Sequence, residues 1–140
     1  MTSYDDGNIF AKILRCEIPS LKLYEDDTAI AIMDIMPESK GHCLVIPKAP
    51  SRNLLDADDA TLAATMPVVA RLARAARKAF GADGVRIAQF NEESAGQTVF
   101  HLHFHVVPVY AGVPLARHGG SSTPRVELEA QAEAIRAAIR

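Results

Sequence analysis

The stretch Gln97-Thr98-Val99-Phe100-His101-Leu102-His103-Phe104-His105-Val106-Val107 decides how the rest of the chain is read. Histidine alternates with a large apolar residue over the middle of it. Side chains on an extended strand point to opposite faces in turn, so the pattern predicts a strand over 99–109. Phe100, Leu102, Phe104 and Val106 would form its buried face. His101, His103 and His105 would share the other face, each about 7 Å from the next. A slip of one residue would bury the histidines, so the apolar set fixes the register.

Around this strand the chain alternates short apolar runs with turn signals. Residues 1–8 read as a loose polar tail, and Ile9-Phe10-Ala11-Lys12-Ile13-Leu14 as a short helix. Leu21 to Tyr24 and Thr28 to Asp34 read as two strands about the turn Glu25-Asp26-Asp27, and His42 to Ile46 as a third strand closed by Pro47. A long helix is expected from about Ala57 to Phe80. Leu62, Met66, Val69, Ala73, Ala76 and Phe80 lie on one face, Arg71, Arg74, Arg77 and Lys78 form a solvated face, Pro67 kinks the helix and Gly81 stops it. Val85 to Phe90 reads as a fourth strand, Asn91 to Gly96 as a polar loop, and Ala111 to Ser122 as irregular. A closing helix over 123–140 begins at Thr123-Pro124 and buries Leu128, Ala132, Ile135 and Ile139. Most connections are too short for crossovers, so the sheet is expected to be mainly antiparallel in an α+β fold.

The chain has 140 residues, the size of a single domain, and 49% of them are apolar, enough for one core. Fifteen basic against 17 acidic residues leave a net charge of −2, which excludes a generally basic nucleic-acid binder. Two cysteines, Cys16 and Cys43, make no disulfide framework. With no apolar run long enough to span a bilayer and no secretory signal pattern, the expectation is a reduced, cytoplasmic protein without membrane or nucleic-acid partners.

Three chemistries suit the histidine row. It is a polar strand face with satisfied imidazoles. Alternatively it is a metal site, although the first and third histidines of a straight row are about 13 Å apart, and a further ligand would have to be His42. Or it carries nucleophilic catalysis at phosphorus: a neutral imidazole attacks, its neighbours fix its tautomer, and a phosphohistidine intermediate forms. The small polar residues of the preceding loop favour the last by offering donors to phosphate oxygens.

His101-Leu102-His103-Phe104-His105-Val106-Val107 resembles the signature of the histidine triad (HIT) superfamily, three histidines alternating with apolar residues. The likeness extends over about residues 8–110, through Ile9-Phe10-Ala11-Lys12-Ile13, Glu17-Ile18-Pro19, Tyr24-Glu25-Asp26-Asp27, Asp34-Ile35 and Gly41-His42-Cys43-Leu44-Val45-Ile46-Pro47-Lys48. Ala95-Gly96-Gln97-Thr98-Val99-Phe100 is similar to the Hint branch. This resemblance implies a HIT fold: a five-stranded, mainly antiparallel sheet with one long and one or two short helices. It implies a homodimer that binds purine nucleotides and hydrolyses nucleoside 5′-phosphoramidates or acyl-adenylates without a cofactor. The alternatives are a Fhit-like dinucleoside polyphosphate hydrolase and a nucleotide-binding interaction module with little turnover.

By the same resemblance, His103 is the nucleophile, His105 bonds phosphate or ester oxygen, His101 orients the nucleophile and His42 supports the triad. Asp34 accepts from the ribose hydroxyls. Ile9, Phe10, Ile13 and Ile35 form the slot for the base, and Asn91, Gly96, Gln97 and Thr98 supply donors beside the phosphate. Many bacterial relatives carry a Cys-x-x-Cys zinc site in the opening helix and a histidine after the Ile-Pro-Lys block. Here those positions are Asn8, Ala11 and Pro50, so no metal is expected. Glu92 stands where many relatives have glycine, and a free carboxylate there would repel phosphate.

Overall fold

The structure is a computed structural model that describes residues 3–140. Helix α1 (Ile9–Leu14) begins where the Asn8 side chain accepts the Ala11 N–H at 2.9 Å, a cap that satisfies one of the first-turn donors. Strands β1 (Lys22–Glu25) and β2 (Ala29–Met33) follow. Asp26 Oδ1 in the turn between them accepts the N–H groups of Thr28 and Ala29 at 2.8 and 2.9 Å, a side-chain bond pattern that holds a tight reversal. Strand β3 is Cys43–Pro47, helix α2 Asp59–Phe80, β4 Gly84–Ala88, β5 Phe104–Val109 and α3 Arg125–Ile139, with 3-10 turns at Leu54–Asp56 and Glu93–Ala95. The five strands pair antiparallel throughout, in the order β1-β2-β3-β5-β4. The expected α+β architecture with a five-stranded antiparallel sheet is therefore the one observed. Since β5 lies between β3 and β4, α2 carries the chain across the sheet and β5 returns into the gap.

Both faces of the sheet are covered. Ala29, Ala31 and Met33 of β2, Cys43 and Val45 of β3 and Phe104 and Val106 of β5 point to a core shared with α2 and α3. Ile30, Ile32, Leu44 and Ile46 point the other way, to a smaller cluster closed by Phe10 of α1. The pairing of Ile32 with Leu44 and of Leu44 with His105 sets His105 on this second face.

The long helix buries Thr65, Val68, Val69, Leu72, Ala75 and Ala76. This corrects the face expected from spacing: Met66 is 45% exposed, and Leu72 is fully buried. Alanine is abundant around α2, so more than one apolar stripe exists, and contact with α3 and the sheet selects among them. The helix ends at Gly81, whose φ of 61° is the left-handed cap expected there. The basic residues Arg71, Arg74, Arg77 and Lys78 are exposed, as expected. Helix α3 starts one residue later than the Thr123 cap would place it: Pro124 occupies the cap position, without a side-chain bond, and Leu128, Ala132 and Ile135 are buried.

Two further corrections bear on the site. The fifth strand begins at Phe104, not Val99; residues 100–103 leave the ladder, and the Leu102 N–H is bonded to Ser51 O instead, at 2.9 Å. Leu102, Phe104 and Val106 do join the α2 core, but Phe100 is only half-buried, beneath the Arg52 guanidinium at 4.2 Å. The start of the chain is also not loose where it is described. Asn8 Nδ2 donates to Asp5 O at 2.8 Å and to Tyr4 Oη at 3.1 Å, and Arg15 reaches Asp6 O at 2.9 Å. Met1 and Thr2 lie outside the described residues.

Candidate functional site

On the thinly covered face a cavity of about 230 Å³ opens between α1, the end of β2 and the start of β5. Ile9, Phe10, Ile13 and Ile35, the four residues expected to make an apolar slot, all line it, together with Asp34, Thr98, His103 and His105. Ile9 and Ile35 sit on its rim, 46% and 57% exposed. A shallower groove of about 470 Å³ between α2 and α3 is lined by Arg71, Arg74 and Lys78, and has no histidine, carboxylate or thiol in its walls.

The hydrogen bonds of the histidines determine which nitrogen carries each proton, because each chain of bonds starts or ends on a group of fixed role. His101 Nε2 lies 2.7 Å from Pro47 O, an acceptor, so Nε2 carries the proton and Nδ1 accepts from Tyr4 Oη at 2.7 Å. His103 Nδ1 lies 2.7 Å from the carbonyl of His101, so it too must donate. The lone pair of neutral His103 is therefore on Nε2, which has no hydrogen-bond partner among the described residues. His42 Nδ1 accepts the Glu38 N–H at 3.0 Å, which puts the proton on Nε2. That proton is directed to His105 Nδ1 at 3.0 Å, with Asp34 Oδ2 at 3.4 Å, and His105 accordingly bears its own proton on Nε2.

Burial keeps the imidazoles neutral. It is the main cause that lowers His103 to about 4 and His42 and His105 to about 3, with neighbouring histidines adding repulsion, and it lowers His101 despite the bond to Pro47. Phe10 meets the His103 ring edge-on at 4.8 Å, and Phe90 meets His105 at 5.9 Å. The expected straight row of three is not seen. Rings of His103 and His105 are 5.1 Å apart, whereas His101, fully buried, lies outside the cavity walls and meets His103 through its carbonyl.

The loop before the triad is built differently from a row of free donors. Gln97 is buried, donating to Arg52 O and Val99 O at 2.8 and 3.0 Å and accepting from Glu92 N and Asn53 Nδ2 at 2.8 and 3.1 Å. Asn91 Oδ1 accepts the Leu54 N–H at 2.9 Å, and Gly96 turns the chain with φ of 104°. None of Asn91, Gly96 and Gln97 lines the cavity; only Thr98 of that group does. Glu92 has a φ of 76°, a conformation that favours glycine. Its carboxylate does not stand free: Arg52 Nε and Nη2 hold it at 2.9 Å each, and Asn53 Nδ2 at 2.6 Å. Its repulsion of a nearby phosphate is thereby largely neutralised.

Sequence reasoning missed His118. It lies in the irregular segment after β5, where no periodicity marks it, yet its Nε2 donates to Asp34 Oδ2 at 2.8 Å and its ring stands 5.2 Å from that of His105. Backbone bonds Ala116 N–H to Glu38 O at 2.7 Å and Thr123 N–H to Ile35 O at 3.1 Å tie this segment across the cavity mouth. The only available signal was that it is the fifth of five histidines and the other four already shared a site.

Ligand atoms of Asp34, His42, His105 and His118 lie within 4.8 Å of one another, the one such group among the described residues. Their protons oppose a metal. With Nδ1 accepting a backbone N–H, His42 presents Nε2–H, and not a lone pair, to the centre of the group. A zinc site at the opening helix fits no better: Asn8 caps α1, Ala11 is buried, Cys43 is locked in β3 with its thiol pushed up to about 12 by burial, and Cys16 is exposed.

Comparison with known proteins agrees with the geometry. The HIT domain family matches residues 15–112. A Hit-like protein of Bartonella henselae, crystallised with an unknown ligand, superposes with a TM-score of 0.91 at 54% identity over 97% of this chain and 99% of that one. The adenosine 5′-monophosphoramidase HNT1 of Saccharomyces cerevisiae is 42% identical over 104 residues, 74% of this chain and 63% of the yeast protein. The adenylylsulfatase HINT3 of Arabidopsis thaliana is 39% identical over 116 residues, 79% of this chain and 59% of the plant protein.

Proposed function

The chain belongs to the HIT domain family, and from that premise we propose that it hydrolyses purine nucleoside 5′-phosphoramidates or the related mixed anhydrides at the α-phosphorus. The observation that carries this reading is the unpartnered Nε2 of neutral His103 in the wall of an apolar cavity, its Nδ1–H tied to the His101 carbonyl. Such a nitrogen is a nucleophile that needs no base to free it. The named activities of the yeast and plant relatives, a phosphoramidase and an adenylylsulfatase, support the substrate class.

In this reading the base lies between Phe10, Ile13 and Ile35, and the ribose hydroxyls donate to the carboxylate of Asp34. His103 Nε2 attacks the α-phosphorus, the bond to the amine or acyl oxygen breaks, and its electron pair leaves with that group. An amine departs protonated, and the proton is made up when the hydrolytic water loses one in the second step. His105 Nε2–H and Thr98 donate to phosphoryl oxygens as negative charge builds, where such donors lower the barrier most. Water then attacks the nucleotidyl-His103 phosphorus, releasing the monophosphate and restoring neutral imidazole. No metal enters these steps. A homodimer is part of the proposal: β4 is an edge strand with Ile87 44% exposed and Phe90 beside it 40% exposed, a surface suited to a second copy.

The test is release of adenosine monophosphate from adenosine 5′-phosphoramidate in excess chelator, wild type beside His103→Ala. Turnover by the wild type alone is expected. Equal turnover by the variant would remove His103 as nucleophile. A wild type inert here but active on diadenosine polyphosphates would move the protein to the Fhit-like class.

A further inference from the structure

We infer that Tyr4 is a positioning residue for the nucleophile. Its hydroxyl anchors His101, and through the His101 carbonyl it holds His103 in the tautomer that exposes Nε2. The inference rests on the functional reading above for its kinetic consequence but not for its structural content.

A carbonyl can fix a tautomer only if it is itself held in place. Within a strand, ladder bonds do this; residues 100–103 precede β5 and have no such ladder. The Leu102 N–H bond to Ser51 O holds one side of that peptide, and the His101 ring supplies a second hold. It is fully buried and clamped at both nitrogens, by Nε2–H to Pro47 O and by the Tyr4 hydroxyl to Nδ1, each at 2.7 Å. Tyr4 is fixed in turn. Asn8 Nδ2 donates to its oxygen at 3.1 Å while Asn8 Oδ1 caps α1, and the Tyr4 ring meets His101 edge-on at 5.6 Å. Proton donation therefore runs in one direction, Asn8 to Tyr4 to His101. The same segment touches the nucleophile a second time, since α1 presents Phe10 to the His103 ring.

Removing the hydroxyl leaves the buried His101 Nδ1 without a donor. Pro47 O still keeps the proton on Nε2, but the ring has lost one of its two clamps and can rock about the remaining bond. That motion loosens the carbonyl that orients His103.

The experiment compares Tyr4→Phe, which keeps the ring, with wild type and with Tyr110→Phe, whose lost hydroxyl bonds Lys40 O instead. Nitrogen-15 spectra of histidine-labelled protein are expected to show the Nδ1 resonance of His101 moving in Tyr4→Phe only, with the His103 nitrogens departing from a pure Nδ1–H pattern. With adenosine 5′-phosphoramidate, kcat is expected to fall about ten-fold in Tyr4→Phe with KM within about two-fold, the scale of one buried hydrogen bond. Unchanged histidine nitrogens in a folded Tyr4→Phe protein would overturn the inference, whatever the activity. A wild type without turnover would count against the functional reading alone, and the spectra would still decide the role of Tyr4.

Discussion

The two faces of the sheet are put to different use. The face under α2 and α3 is a broad core of Leu, Val, Ala, Phe and Ile side chains, in which the one titratable group among the described buried residues, Cys43, is made inert by burial. On the opposite face the cluster is small, Phe10 with four residues of β2 and β3, and it is closed by a six-residue helix, an N-terminal segment and a strap. Three of the five histidines, His103, His105 and His118, line the cavity beside that cluster together with Asp34. A thick core supplies stability that does not depend on the site, and the thin cover leaves room for a ligand. The lesson is one of separation: polar groups that must stay buried and neutral are gathered where few apolar contacts compete with them.

Four experiments break or sharpen this contrast. The largest effect is expected from His103→Ala, which should lower kcat for phosphoramidate hydrolysis by at least about 10⁴-fold, the scale of losing a nucleophile, while leaving thermal stability nearly unchanged. Leu72→Ala on the other face should do the reverse. The cavity it leaves in the core should cost about 2–5 kcal/mol in denaturant unfolding, with kcat/KM of the folded protein preserved. Loss of activity in proportion to stability would show that the two faces are coupled.

The third is a pH dependence peculiar to the histidine face. Unfolded, these imidazoles titrate near 6.5; folded, His103 titrates at about 4 and His42 and His105 at about 3. Below pH 6.5 the unfolded chain binds more protons than the folded one, so stability falls as pH falls and levels off below about 3, by at most about 1.4 kcal/mol per pH unit per histidine. Denaturant midpoints between pH 7 and 4 check this, and replacing His105 should flatten the slope. The acid limb of activity should correspondingly lie near pH 4. The smallest effect is expected from His118→Ala. Removing the donor that covers Asp34 should tighten adenosine monophosphate binding, read by calorimetry, by about two- to five-fold, the worth of one partly exposed hydrogen bond.

Much of this was legible in the sequence, and the misses have physical causes. Alternation over Phe104 to Val109 marks β5 correctly because the ladder there is real. The same alternation continues back through Phe100, where the backbone has already turned toward Ser51, and side-chain pattern alone cannot register a lost ladder bond. Spacing on α1 marked only Phe10, Ile13 and Leu14 as one apolar side; Ile9 and Ile35, which also line the cavity, were named through the family resemblance. The stripe of α2 was not readable, because alanine fits several. Gln97 and Asn91 were expected to face a phosphate; their amides are consumed by Arg52, Asn53, Glu92 and Leu54, partners more than thirty residues away in most cases that only the fold brings near. His118 and Tyr4 share that reason: each lies in a segment without periodic signal and gains meaning only from what it touches.

One consequence of the strand order concerns synthesis. The central pair β3 and β5 joins residues about sixty positions apart, across α2 and β4, and the bond between His42 and His105 spans the same interval. Closing so long a loop is entropically slow compared with zipping the adjacent β1-β2 and β2-β3 hairpins. As the chain is translated, the first three strands can pair early, but the histidine cluster has no second half until β5 emerges. His118 comes later still. A nascent or truncated chain ending before residue 101 therefore holds much of the α2 core and none of the triad, so premature fragments of that length are expected to be chemically inert.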